Sequence, residues 1–141
     1  MATKPQLRIL LVDDDVDTVH VVRYTLQKVD PATILDVAGS REELVTHLER
    51  AVKPYYNLLL LDLMLEGELN GLSLVDLIRS YPNTRLMPIV ALSFRDDHQT
   101  VQASYHQRVN SYLQKPETLE EWERVMLALT NYWKVSALPS E

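Results

Sequence analysis

Short apolar runs alternate along the chain with stretches in which apolar residues recur every three or four positions. Residues 7–12 (LRILLV) have the β-rich character of a strand. Between Asp15 and Val29, the residues Val19, Val22, Leu26 and Val29 fall at 3-4-3 spacing, which lays them along one face of a helix. Pro31 follows as a stop signal. Residues 33–37 form a second strand candidate, and Ser40-Arg41-Glu42-Glu43 reads as a capping box opening a helix to about Ala51. Residues 57–61 (NLLLL) are apolar almost throughout, as expected of a strand covered on both faces. Asn70-Gly71 opens a third helix, carried by Leu72, Val75, Leu77 and Ile78 to about Ser80. Residues 88–92 give a fourth strand, 96–107 a helix and 111–114 a short fifth strand. The last helix spans 118–133, with a second capping box in Thr118-Leu119-Glu120-Glu121.

Five strands in strict alternation with five helices predict an α/β protein. Such alternation gives parallel strands, right-handed crossovers and helices on both faces. A doubly wound five-stranded sheet of order 2-1-3-4-5 closes naturally at 141 residues, one domain's length. Residues 1–135 are expected to form that single domain and 136–141 a short C-terminal tail, with no output domain following.

Composition removes several function classes. There are 20 acidic and 14 basic residues, a net charge of −6, and the basic residues are scattered. That argues against a nucleic-acid surface, which needs a basic stripe. The absence of Cys excludes disulfides, thiolate-bound metals and a thiol nucleophile, and fits a cytoplasmic protein. No signal peptide is apparent, and no apolar run approaches the ~18 residues of a membrane span. With three Gly, no glycine-rich phosphate loop can be read.

In open α/β sheets, ligands bind outside the carboxyl ends of the strands. The first strand ends in Asp13, Asp14 and Asp15, the third in Asp62 and the fourth in Ser93, and Lys115-Pro116 follows the fifth. The predicted strand order makes these residues converge. Two carboxylates ~4 Å apart repel by about 4 kcal/mol at an effective dielectric near 20. A raised pKa or a bound cation relieves such a cluster, and Mg²⁺ with oxygen ligands suits this one. Lys115 adds a fixed positive charge and Ser93 a hydroxyl. An Asp nucleophile, a metal and a Lys are the parts that phosphoryl transfer onto Asp requires. Taken singly, an Asp after a strand is most often a turn former or helix cap. That is the expectation for Asp15 and Asp17; the joint occurrence at four strand ends carries the chemistry.

The segments ILLVDDD, LLLLDLML with the later NG, IVALS and SYLQKP resemble the signature of bacterial response-regulator receiver domains, over about residues 7–134. The resemblance implies a flavodoxin-like receiver fold and phosphorylation of Asp62 by a sensor histidine kinase, with Mg²⁺ as cofactor. It implies that Asp13, Asp14 and Asp62 hold the metal, with Asp14 the more direct ligand and the backbone carbonyl of Met64 completing the set. Ser93 and Lys115 would grip the phosphoryl oxygens, and Ser93 and Tyr112 would form the switch. Such a protein is no metabolic enzyme: it catalyses only its own phosphorylation and dephosphorylation. Two positions depart from the pattern. Glu66 stands where Pro is usual. Phe94 stands where a small residue is usual, and a large ring beside the phosphoryl pocket would restrict access by water or a partner phosphatase. The segment ASYHQRVNSYLQKP and the later LTNYWKVSALP are similar to single-domain regulators that partner phytochrome histidine kinases.

Trp122, Met126, Leu129 and Trp133 recur at 4-3-4 spacing on the last helix, as a core face would. Leu119, Val125, Leu127 and Tyr132 widen the apolar arc, and a helix apolar over so much of its girth buries a second face. The expectation is a homodimer through the fourth helix, fifth strand and last helix, with Tyr105, Tyr112, Trp122 and Trp133 as interface candidates. His20, His47, His98 and His106 are dispersed and read as surface or packing residues. Two rival functions remain in view. One is a haloacid-dehalogenase-like phosphatase with Asp13 as nucleophile, which would leave Asp62 idle. The other is a receiver-like binding module that works without phosphorylation.

Overall fold

The computed structural model describes residues 6–50, 56–65 and 71–135. Ala51, Glu66, Asn70 and the tail 136–141 lie outside the described residues. The elements are β1 (Arg8–Val12), α1 (Val16–Val29), β2 (Ile34–Ala38), α2 (Arg41–Arg50), β3 (Leu58–Asp62), α3 (Gly71–Ser80), β4 (Ile89–Ser93), α4 (His98–His106), β5 (Ser111–Gln114) and α5 (Leu119–Val135). All strand pairs are parallel and the sheet order is β2-β1-β3-β4-β5, as the alternation predicts.

Strand side chains alternate between two cores. Leu10, Val12, Leu59, Leu61, Ile89 and Ala91 face Leu44 and Leu48 of α2 and Leu74, Val75 and Ile78 of α3. Ile9, Leu11, Leu58, Leu60, Val90 and Leu92 face Val22 and Leu26 of α1 and Trp122 and Met126 of α5. Both faces of the central strands are thus sealed, which is why β3 can be a run of leucines. Each such Leu contributes ~2 kcal/mol by leaving water. Helix α4 differs: its buried side chains are the hydroxyls Thr100 and Ser104, so it contributes little apolar area to either core.

Local chemistry fixes the helix starts. Asp15 caps α1 by accepting from the Asp17 N–H and the Thr18 hydroxyl. Ser40 accepts from the Glu43 N–H, and Thr118 from the Glu121 N–H, as capping boxes require. The returning carboxylates go one residue further back than the caps themselves, Glu43 to the Gly39 N–H and Glu121 to the Glu117 N–H. Opposite the cap ends, the Arg79 guanidinium stitches α3 to the lower loops through the carbonyls of Arg85, Met87 and Arg108 and the side chain of Asn110.

Several strands run one residue beyond the limit their hydrophobicity suggests. Asp62 pairs with Leu92, and Ser93 with Gln114, inside the ladder. The backbone hydrogen bonds continue past the last apolar residue: Asp13 N–H donates to Ala38 and Lys115 N–H to Ser93, at 3.0 and 2.7 Å. The polar residues at the strand ends therefore sit on rigid backbone.

Candidate functional site

The sheet order brings the ends of β1, β3, β4 and β5 side by side. Asp13, Asp62, Ser93 and Lys115 are all buried there, while Asp14 is exposed. Asp13, Asp14 and Asp62 each offer a carboxylate oxygen, and these atoms lie within 4.8 Å of one another. The Lys115 ammonium lies 2.9 Å from Asp13 Oδ2 and 3.5 Å from Asp62 Oδ1. Asp13 Oδ1 accepts from the Asp15 N–H at 2.9 Å, and Asp62 Oδ1 from the Met64 N–H at 3.1 Å. The Asp15 carboxylate is occupied with its cap.

Burial pushes the Asp13 carboxyl up to about 6, and the neighbouring Asp62 adds to the rise. The Lys115 charge and the Asp15 N–H oppose it without cancelling it. Asp13 is thus a carboxylate held in a place that disfavours its charge. An oxygen-only donor set of three clustered acids fits a hard divalent cation, and Asp13, Asp14 and Asp62 are the residues able to hold one.

Ser93 Oγ accepts from the Arg95 N–H at 3.0 Å. The Arg95 carbonyl accepts from the Tyr112 hydroxyl, and its guanidinium pairs with Asp97 at 2.9 Å. Asp97 in turn caps α4 through the N–H and hydroxyl of Thr100, which hold its carboxyl down at about 2. One short segment therefore joins Ser93, Tyr112 and the start of α4. Sequence reading singled out Ser93 and Tyr112 but not the Arg95–Asp97 link between them.

Gly71 does more than open a helix. A Cβ there would lie 2.6 Å from the Asp62 carbonyl oxygen and 2.7 Å from Leu63 Cα. The first turn of α3 packs directly on the backbone that carries Asp62. The available signal was a Gly at a helix start in a chain with only three.

Among the interface candidates, Tyr105 is exposed, and Tyr112 and Trp133 are half-buried. Trp122 corrects the expectation: at 5% exposure it lies in the core with Met126, because its turn of α5 faces Leu11, Leu60 and Leu92. It has little surface to offer a partner. The second apolar arc of α5 is nevertheless exposed at Leu119, Leu127 and Tyr132. Tyr132 packs edge-on against Trp133, with ring centroids 4.9 Å apart. Of the histidines, His47 is a packing residue, held between the Val37 carbonyl and Tyr56. Among the described residues no helix is long and apolar enough to cross a membrane.

The fold has counterparts among known proteins. An uncharacterised 14.6 kDa protein of Leptolyngbya boryana is 34% identical over 116 residues, covering 82% of this chain and 84% of that one. Response regulator Rcp1 of Synechocystis is 28% identical over 135 residues, covering 93% and 91%. The Mn²⁺-bound structure of Rcp1 superposes with a TM-score of 0.77 at 26% identity, over 96% of this chain and all of that one. The phosphorylated cyanobacterial phytochrome response regulator RcpA shares the fold with a TM-score of 0.82 at 23% identity, over the same fractions. The family model for the response regulator receiver domain matches residues 9–126, and the chain belongs to that family.

Proposed function

We propose that Asp62 is the phosphoacceptor of a two-component phosphorelay and takes its phosphoryl group from a phosphohistidine of a sensor histidine kinase. The observation that carries this reading is the juxtaposition of three carboxylates within 4.8 Å with a buried Lys115 bridging two of them. Asp13, Asp14, Asp62 and the main-chain carbonyl of Met64 would hold Mg²⁺. Its charge, when bound, offsets the acids and the incoming phosphoryl oxygens. An Asp62 carboxylate oxygen forms the new bond to phosphorus as the bond to the histidine nitrogen breaks, and the nitrogen keeps the electron pair. The Lys115 ammonium stands beside the place where the phosphoryl charge arrives, and Ser93 supplies a hydroxyl at the adjacent strand end. The protein acts on itself alone, in the cytoplasm.

The phosphorylated site reports through Ser93 and Tyr112, both tied to Arg95, to a surface on α4, β5 and α5. Tyr105, Tyr112, Tyr132 and Trp133 belong to that surface. A groove of about 550 Å³ runs along it, lined by Leu113, Val125, Leu129, Tyr132 and Trp133 among others. A second copy of the chain is the partner this apolar face suits, giving a homodimer. Likeness to Rcp1 and RcpA supports a phytochrome-type kinase upstream.

Incubation with Mg²⁺ and acetyl phosphate, followed by intact mass and mapping of the modified residue, tests the site. One phosphoryl group is expected, on Asp62, and none in Asp62→Asn. A label mapped to Asp13 would favour the phosphatase reading, and no label at all would favour the binding module. Light scattering with and without the phosphoryl group tests the dimer, and a monomer in both states would defeat it.

A further inference from the structure

His47 on α2 stands in a chain of hydrogen bonds that closes when its ring carries two protons. Its Nε2 lies 3.2 Å from the Val37 carbonyl oxygen. A carbonyl only accepts, so Nε2 holds a proton. Its Nδ1 lies 3.3 Å from the Tyr56 hydroxyl oxygen. That hydroxyl has one proton and donates it to Asp36 Oδ2 at 2.6 Å. Burial, with Asp36 beside it, pushes the Tyr56 hydroxyl well above the usual tyrosine range, so the proton stays on its oxygen. A neutral His47 ring would turn the Nδ1 lone pair toward an oxygen with nothing left to donate. A second ring proton turns that contact into a hydrogen bond from Nδ1–H to Tyr56. The imidazolium then faces the Asp36 carboxylate through the bridging hydroxyl. All three side chains are half-buried.

We infer that His47 is a proton-operated clasp: its imidazolium ties α2 to the edge strand β2 and to the residue that leads into β3, and loss of the Nδ1 proton opens the tie to Tyr56. The inference stands apart from the phosphoacceptor reading. The clasp joins three parts of one edge of the fold. Asp36 and Val37 belong to β2, the outermost strand, His47 to α2, and Tyr56 precedes β3. Helix α2 fully buries two side chains, Leu44 and Leu48, so a polar tie matters to its hold. Other charges around the ring leave this arrangement in place. Arg8 of β1 acts on the Tyr56 hydroxyl from the sheet, but burial and Asp36 outweigh it. On α2 itself, the Glu43 carboxylate is taken by the Gly39 N–H at 2.7 Å, and Arg50 is exposed. His47 lies in the last turn of α2, where the helix end favours a cation. The folded chain gains a hydrogen bond by keeping the proton. The clasp's contribution is therefore present at acidic pH and is lost as pH rises through the range, about pH 5 to 8, in which histidine changes its charge.

Urea unfolding of the full chain at pH 5.5 and pH 8.5 tests the clasp through Tyr56→Phe, which keeps the ring and removes the oxygen. The folding equilibrium constant of wild type relative to Tyr56→Phe should be about tenfold larger at pH 5.5 than at pH 8.5. In a His47→Gln background the same Tyr56 substitution should cost equally at both pH values. Asp13 titrates in both members of each pair, so its effect cancels. A wild-type cost of Tyr56→Phe that is the same at both pH values would overturn the clasp. So would a pH dependence that survives in the His47→Gln background. A second measurement uses wild type alone. Nitrogen NMR of the imidazole should show both ring nitrogens of His47 protonated at pH 5.5. As the Nδ1 proton leaves, the amide protection of α2, corrected for the intrinsic effect of pH on exchange, should fall with the same midpoint. A bare Nδ1 at pH 5.5, or protection that stays constant through the titration, would overturn the inference even if Tyr56→Phe failed to fold.

Discussion

Two carboxylate–lysine pairs of equal length lie at opposite ends of the sheet. Asp13 meets Lys115 at 2.9 Å at the carboxyl ends of the strands, and Asp30 meets Lys134 at 2.9 Å where α1 and α5 finish. The two acids respond in opposite directions. Burial pushes Asp13 up to about 6, with Asp62 adding to the rise. Burial also acts to raise Asp30, but hydrogen bonds from Lys134, Thr33 and the Ala32 N–H outweigh it and hold the carboxyl below its usual value. Distance to the cation is the same, so the surroundings decide. At the Asp30 end every donor answers a single acid. At the Asp13 end one ammonium is shared between two acids, with a third close by. In the first pair one cation serves one acid, and in the second one cation serves two.

Removing each lysine in turn is the most direct way to break this contrast. Lys115→Met leaves a buried acid cluster without its cation, and loss of one partner from a buried pair costs ~3–5 kcal/mol. The metal-free variant should lose about that much at pH 8 and clearly less at pH 5, where Asp13 can take a proton instead. Urea unfolding at the two pH values reads the difference. An equal loss at both would mean that the charge on Asp13 is not what strains this end.

The second test acts through shape. Gly71→Ala drives a methyl into the backbone of Asp62 and Leu63, and backbone cannot swing aside as a side chain can. Overpacking of this kind costs ~2 kcal/mol. The variant should also bind Mn²⁺ more weakly, because the carboxylate of Asp62 moves with its backbone. Gly39→Ala is the control. There the nearest atom is Glu43 Oε2 at 3.5 Å, an ordinary contact, so stability should hardly change. A Gly39→Ala loss as large as that of Gly71→Ala would remove the special status of the α3 contact.

The third test is pH itself. Asp13 has a folded-state value raised above its unfolded one, so its contribution to stability is fully present below pH 3.8 and is lost as pH rises through about 6. Asp30 is lowered, so its contribution is present above its unfolded value and is lost as pH falls through its folded one. The metal-free protein should therefore gain on the order of 1 kcal/mol from the Asp13 end between pH 7 and pH 5. Saturating Mg²⁺ should abolish that gain, since the ion needs the carboxylate ionised. Unfolding free energies at pH 7, 6 and 5, with and without Mg²⁺, make the comparison.

The site end was legible in the sequence because its residues stand at strand ends, where polar residues interrupt apolar runs. Asp13, Asp62 and Ser93 each follow such a run, Lys115 follows the short strand Ser111–Gln114, and the β-α alternation with the chain's length suggests the order of the strands that carry them. The link from Arg95 to Asp97 and the contact of Gly71 with Asp62 were not legible. They depend on how loops approach one another, and no hydrophobic period encodes that. Trp122 and Trp133 share one spacing but not one environment, because α5 outruns the sheet it packs on: its early turns cover β1, β3 and β4, while Trp133 lies half-buried at its far end. The Asp30–Lys134 pair escaped notice for the same reason. Nothing in a sequence separation of over a hundred residues announces that two helices end together.

That pair supplies the mildest test. Lys134→Met removes a cation that is a quarter exposed, from an acid that keeps Thr33 and the Ala32 N–H as donors. Partly exposed pairs contribute ~0.5 kcal/mol after screening, and a cation in the last turn of α5 adds a favourable contact with the helix end. The variant should lose under about 1 kcal/mol at pH 7. Its acid unfolding should begin at a higher pH than in wild type, because Asp30 loses part of what lowers it. Added salt should reduce the difference from wild type, as screening does for an exposed pair. Lys115→Met should show no such salt dependence, since its charges are shielded from solvent. If Lys134→Met lost as much as Lys115→Met, and salt left both losses unchanged, the two ends would be energetically alike. The raised acid at the strand ends could then no longer be read as part of a site suited to a cation.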